Sequence, residues 1–287
     1  MKTIQLILLS AIALFSACTN TENKTSTSEP KAKMTTPKKE QVTALLKSIE
    51  TGDSAPVTFI NPNKYIQHNL AVADGLAGFG AVLQQLPEGS AKVDIQRVFE
   101  DGDYVVTHTK YNFFGPKAGF DIFRFEDGKI VEHWDNLQDI VDETASGRTQ
   151  FDGPTEIQDL DKTKANKQLI EGFVKDILMG GNPDKITEYI STTQYHQHNP
   201  HVKDGLKGLG EALSAMAEAR TPMTYEKNHF ILGEGNFVLS ASEGIFMKKY
   251  VAFYDLFRIE GGKIVEHWDT IEEIPAKSNW KNQNGKF

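Results

Sequence analysis

The chain has 287 residues, enough for two domains that each bury a core of their own. Hydrophobic residues make up 39% and charged residues 24%, with a mean hydropathy of -0.41, the balance of a soluble protein. The formal charge of -8, with no basic run, argues against a nucleic-acid backbone binder, and a single cysteine excludes a disulfide framework or a cysteine-rich zinc site within one chain.

Met1-Lys2 opens the sequence, and an apolar run from Ile4 to Phe15 follows, broken only by Gln5 and Ser10. The run is too short to span a bilayer comfortably and ends on small residues, which is the layout of a secretory signal. Ser16-Ala17-Cys18 resembles a bacterial lipoprotein processing site, with Phe15 where Leu is more common. The resemblance implies that residues 1–17 are removed, that Cys18 is lipidated, and that the protein sits in the cell envelope, touching the membrane through the lipid only. The alternative is an ordinary signal peptide with a cysteine close by. Residues 18–34, dense in Thr, Ser, Asn and Lys, bury too little to order themselves and are expected to form a flexible tether.

Val42, Leu45, Leu46 and Ile49 then share one helical face between Pro37 and Gly52. After Tyr65-Ile66-Gln67-His68-Asn69, a further helix carries Leu76, Phe79, Leu83 and Leu86. The period then changes to two, with strands expected over Val93–Phe99, Tyr104–Phe114, Phe120–Phe125 and Ile130–Asp135. The whole order recurs. Ile170, Phe173, Val174 and Ile177 form a helical face, and a short turn at Ile186, Tyr189 and Ile190 follows. Tyr195-His196-Gln197-His198-Asn199 repeats the first motif, and Asp204-Gly205-Leu206 repeats Asp74-Gly75-Leu76. The run Gly128 to Asp135 returns unchanged as Gly262 to Asp269. A repeat this long is a duplicated domain and not a solenoid unit. The expected domains are 35–151 and 159–287, joined by a linker at 152–158. Helices followed by four strands give an α+β class in each, a curved antiparallel sheet covered by helices.

The His-Asn motif, the Asp-Gly-Leu before a helix, and Phe120-Asp121-Ile122-Phe123-Arg124 leading into Gly128-Lys129-Ile130-Val131-Glu132-His133-Trp134-Asp135 resemble the SnoaL-like branch of the nuclear transport factor 2-like superfamily. The resemblance covers both repeats almost end to end. It implies two tandem cone-shaped α+β barrels, each enclosing an apolar pocket. The superfamily includes polyketide cyclases and ketosteroid isomerase, which move protons at carbon beside a carbonyl. It also includes ligand-binding and scaffold domains with no chemistry, so the resemblance leaves function open. The family's catalytic aspartate falls on Asp121, and on Asp255 in the second copy.

In the hairpin, a three-residue loop with Gly128 in the left-handed position pairs Asp121 with His133, whereas a two-residue loop at Asp127-Gly128 sets Asp121 opposite Trp134. The first arrangement is preferred, with Asp255 and His267 matched likewise. The shared face then carries Asp121, Phe123, Val131, His133 and Asp135, and Ile122, Arg124, Ile130 and Trp134 lie on the other. An aspartate among Phe120, Ile122 and Phe123, facing a histidine, has the parts of a general acid or base. The alternative is a carboxylate paired with a cross-strand Arg or His to fix register.

His68 and His198 are expected as hydrogen-bond donors to a substrate oxygen, with Asn69 and Asn199 beside them, or else as loop-capping His-Asn pairs. Phe123 and Phe257 are expected to line the ligand site, and Trp134 and Trp268 to pack. A metal at His68, His108, His133 and Asp121 is conceivable, but His108 matches Ala241 in the second copy, so no metal and no cofactor is expected. The expected partner is a small hydrophobic carbonyl-containing ligand, with no nucleic acid. The apolar outer sheet faces suggest an internal pseudo-dimer within a monomer.

Overall fold

The computed structural model describes residues 36–87 and 89–287, so Cys18 and the signal and tether segments lie outside the described residues. Helix α1 (Lys38–Thr51) buries Val42, Leu45 and Leu46 and stops at Gly52, whose left-handed φ of 72° lets its N–H reach Ser48 O. A 3-10 turn (Ala55–Phe59) leads to β1 (Ile66–Gln67), and then to α2 (Gly75–Leu83). Four long strands follow: β2 (Lys92–Asp101), β3 (Tyr104–Asn112), β4 (Pro116–Glu126) and β5 (Lys129–Asp139).

The second half repeats this order. Helix α3 (Thr163–Phe173) continues as a π turn (Val174–Leu178), and α4 (Ile186–Tyr189), β6 (His196–Gln197) and α5 (Gly205–Glu218) follow. Strands β7 (Thr224–Glu234), β8 (Phe237–Phe246), β9 (Lys249–Glu260) and β10 (Lys263–Glu273) complete it. The sheets run β1-β5-β4-β3-β2 and β6-β10-β9-β8-β7. The four long strands of each are antiparallel, as expected. Each sheet is nevertheless mixed, because the motif ahead of His68 or His198 joins its edge as a short parallel strand. A two-residue strand has no periodicity to read in a sequence.

The β4–β5 hairpin takes the two-residue loop and not the preferred three-residue one, but its pairing departs from both arrangements weighed above. Asp127 (φ 51°) and Gly128 (φ 75°) make a two-residue turn, the type that matches strand twist. Glu126 pairs with Lys129 and Phe125 with Ile130, and a bulge at Val131 then shifts the register by one. Asp121 therefore lies opposite Asp135, and Phe123 opposite His133. The bulge also turns Ile130 inward, against Phe123 and Phe125, where the outer face was expected. The second hairpin does the same: Asp255 faces Asp269 and Phe257 faces His267.

Each sheet wraps its own core. In the first half Val105, Phe123 and Ile130 meet Val42, Leu45 and Leu46 of α1, and in the second Val238, Phe257 and Ile264 meet Ile170, Phe173 and Val174. The outer faces pack on each other through Phe120, Ile122 and Trp134 against Tyr254, Leu256 and Trp268. Where β5 meets β10, Asn136 Nδ2 donates to the carbonyls of Thr270 (2.9 Å) and Ala252 (3.3 Å). Two straps cross this contact in opposite directions. Residues 144–151 run from the first sheet over the His198 segment, where Ala145 N–H donates to Pro200 O. Residues 281–287 run from the second over the His68 segment, where Lys281 N–H donates to Leu70 O.

Candidate active site

Asp121 is 4% exposed on the inner face of β4, and three donors surround its carboxylate. Tyr111 Oη donates to Oδ2 at 2.6 Å, Thr107 Oγ1 donates to Oδ2 at 3.0 Å, and His133 Nε2 stands 3.1 Å from Oδ1. The other ring nitrogen fixes the proton count. Gln67 Oε1 accepts the Asn69 backbone N–H at 2.8 Å, which identifies it as the oxygen, so His133 Nδ1–H must donate to it at 3.1 Å. The Nε2–Oδ1 contact then holds one shared proton, on the imidazole or on the acid. Phe123 stacks on the His133 ring at 4.6 Å, and Asn69 Nδ2 donates to Asp135 Oδ2 at 2.6 Å.

The second half has the same parts. His267 Nε2 lies 3.0 Å from Asp255 Oδ1, its Nδ1–H donates to Gln197 Oε1 at 3.1 Å, and Asn199 Nδ2 donates to Asp269 Oδ2 at 2.6 Å. Phe257 stacks on His267 at 4.9 Å. Tyr225 Oη lies 3.2 Å from both oxygens of Asp255. Tyr225 is not the counterpart of Tyr111. Tyr111 lies on β3 opposite Val93 of β2, whereas Tyr225 lies on β7 opposite Gly244 of β8, so the phenol has changed strands and still reaches the aspartate.

Burial, with the aspartates adding to it, pushes both phenols well above the usual tyrosine range, so they stay donors. Burial lowers His267, but the hydrogen bond to Asp255 and the charges of Asp269 and Asp255 outweigh it and leave the ring raised. Burial, with Asp255 adding, raises Asp269. One oxygen of each facing acid, Asp135 Oδ1 and Asp269 Oδ1, is buried with no hydrogen-bond partner.

His68 and His198 are not in these clusters. In β1 it is Gln67 that pairs with His133 and points inward, so the next residue, His68, points outward and stacks on Trp134 at 4.7 Å. His68 Nε2 meets Glu132 Oε1 at 2.9 Å and Nδ1 meets Gly285 O at 3.0 Å. His198 likewise meets Glu266 at 2.9 Å and Thr149 O at 2.7 Å, and stacks on Trp268. Each ring faces two acceptors, which fits an anchor for the opposite strap, and neither reaches an inner carboxylate. Burial raises Glu132 and Glu266, but His68 with Arg124, and His198 with Arg258, outweigh it and hold both low.

His108 is also on the outer face, between Phe120 and Phe151 and 3.1 Å from Arg97. The metal set of His68, His108, His133 and Asp121 therefore does not converge. The sequence reading gave no role to Gln67, Gln197, Tyr111, Tyr225, Thr107 and Asp269. The recurrence of Gln67 as Gln197 was the available signal. Leu76, Phe79 and Phe113 pack, partly buried, against the core that holds Tyr111 and Phe123.

The fold and this arrangement define an α+β protein of two five-stranded mixed sheets, each backed by helices around an inward aspartate–histidine pair. Residues 42–133 match the model of the SnoaL-like domain family. No curated protein matches the chain. Among solved structures, TsrD of Streptomyces laurentii is 21% identical over 34% of this chain and 86% of its own, with a TM-score of 0.30. IdmH of Streptomyces antibioticus, a candidate polyketide cyclase, is 20% identical over 34% and 90%, with a TM-score of 0.29. An NTF2-like protein of Cytophaga hutchinsonii is 16% identical over 34% and 88%, with a TM-score of 0.31.

Proposed function

We propose that Asp121 and His133 form an acid/base site that moves a proton at the carbon beside a carbonyl in a small apolar compound, as in aldol condensation, cyclisation or isomerisation. The observation that carries this reading is the 3.1 Å contact of His133 Nε2 with Asp121 Oδ1 between two buried side chains, with the other ring nitrogen committed to Gln67. With the shared proton on His133, the Asp121 carboxylate is free to take an α-proton, and the imidazolium beside it limits the cost of the charge. The tyrosine donor supports the reading, because a residue kept only for volume has no reason to carry its hydroxyl when it changes strand. Asp255 and His267 stand in the same relation in the second half.

We infer further that 35–151 and 159–287 act as tandem SnoaL-like domains in a monomer, held at the bacterial envelope through Cys18. A second reading, a binding module without chemistry, is favoured by the closed interior, in which Asp121 is 4% exposed.

Deuterium exchange into the α-carbon of a panel of small ketones, followed by NMR, tests the first reading. Asp121→Asn should lower exchange at least about a hundredfold. A variant that melts several degrees lower with ligand turnover or binding intact would show that Asp121 serves structure instead.

A further inference from the structure

We propose that Asp255, His267 and Asp269 form a site for a first-row divalent cation such as Zn2+ or Mn2+, and that in the first half the Lys286 ammonium meets the same need. The inference concerns the same kind of cluster as the proton-transfer reading but rests on its geometry alone.

In the second half the three side chains are oriented from outside and face one another inside. Gln197 Oε1 accepts the hydrogen bond of His267 Nδ1–H and leaves Nε2 turned inward. Asn199 holds one oxygen of Asp269 and leaves the other, Oδ1, without a partner, on a residue only 8% exposed. One ligand atom from each of Asp255, His267 and Asp269 lies within 4.8 Å of the other two. Ligands at about 2.0–2.2 Å from an ion stand roughly 3–3.5 Å apart, so closing the set takes movements of about an ångström. One imidazole and two carboxylates suit Zn2+ or Mn2+, and a histidine whose far nitrogen donates to a fixed carbonyl is a recurrent feature of metal ligation.

The charge balance separates the halves. Lys286, 6% exposed, donates to Asp135 O at 2.8 Å and Glu272 Oε2 at 2.5 Å, with its Nζ 3.8 Å from the free Oδ1 of Asp135. The straps give its counterpart. The carbonyls of Gly285 and Thr149 meet equivalent histidines, so Lys286 corresponds to Gln150, and Glu272 corresponds to Gln138. An ion pair in the first half is thus a pair of neutral amides in the second. Gln150 Nε2 has no partner among the described residues, so nothing in that strap balances the buried Asp255 and Asp269. One divalent ion balances two carboxylates with the histidine neutral.

The test uses the full chain stripped with a chelator, titrated with Zn2+ by calorimetry and with Mn2+ by electron paramagnetic resonance. We expect one ion per chain, bound at least about a hundredfold more weakly in Asp269→Asn and in His267→Gln. Lys286→Gln should create a second site, a gain that misfolding cannot imitate. No binding of either ion, or binding undiminished in a folded Asp269→Asn, would overturn the proposal, and a Lys286→Gln chain that still takes one ion would overturn the part assigned to Lys286. Because the readout is binding, an inactive protein that takes up the ion would leave this inference standing and remove the proton-transfer reading, while an active, Asp121-dependent protein that takes up none would do the opposite.

Discussion

Tyr111→Phe removes one oxygen from a site where nothing else need move. The phenol gives Asp121 its shortest hydrogen bond, 2.6 Å against 3.0 Å from Thr107 and 3.1 Å at His133, and all four side chains are buried. A bond to a carboxylate in such surroundings contributes about 1.5–3 kcal/mol, against about 1 kcal/mol for a neutral pair. Thr107 and His133 remain, so the loss should fall near the middle of the charged range, about 2 kcal/mol. The assay is urea unfolding of Tyr111→Phe, Asp121→Asn and the double variant, because the coupling between the two changes isolates the bond from the cost of each substitution. A coupling of about 1 kcal/mol or more is expected. Tyr225→Phe should give a smaller value in the same cycle with Asp255→Asn, since its hydroxyl stands 3.2 Å from both oxygens. Coupling below about 0.3 kcal/mol at Tyr111 would refute the description of Asp121 as an acceptor held by the phenol.

His108 gives a pH signature, since burial and then the charge of Arg97 hold its pKa well below the ordinary 6.5. The unfolded chain takes up that proton near 6.5 and the folded chain does not, so stability should fall as pH drops below about 6.5, by at most about 1.4 kcal/mol per pH unit. Urea midpoints at about pH 7 and about pH 5 should differ less in His108→Leu than in the parent, and equal differences would discard the assignment. Cys18→Ser should move the protein from the detergent phase to the aqueous phase on partitioning, and an unchanged distribution would remove the lipid anchor. Light scattering at micromolar concentration should return the mass of one chain, and the mass of a dimer would contradict the monomer.

Much of the fold was legible because two signals agreed. The run Gly128 to Asp135 and its copy exposed the duplication, and the face of Val42, Leu45 and Leu46 fixed α1. The outer face was legible at Ile122 and Trp134, which pack between the sheets. Register was not, since a bulge at Val131 adds a residue without a sequence mark of its own, and its effect was to set Asp135, not His133 or Trp134, opposite Asp121. The inward turn of Gln67 was hidden for a related reason: a strand of two residues takes its facing from the neighbour it joins. The tyrosine donors escaped because matching the copies position by position pairs Tyr111 with Gly244 and Tyr225 with Val93, which looks like loss in both.

The crossed straps set an order of events during synthesis. The His68 segment is made early, but the residues that close over it, Lys281 to Phe287, emerge only after both sheets have been made. The first half therefore waits, with His68 and Asp135 still lacking their strap partners, until the second has been built and laid against it. The second half has no such delay, because residues 144–151 precede the segment they cover. A nascent chain thus has the second half's cover in hand before the segment it covers is made, and gains the first half's cover last.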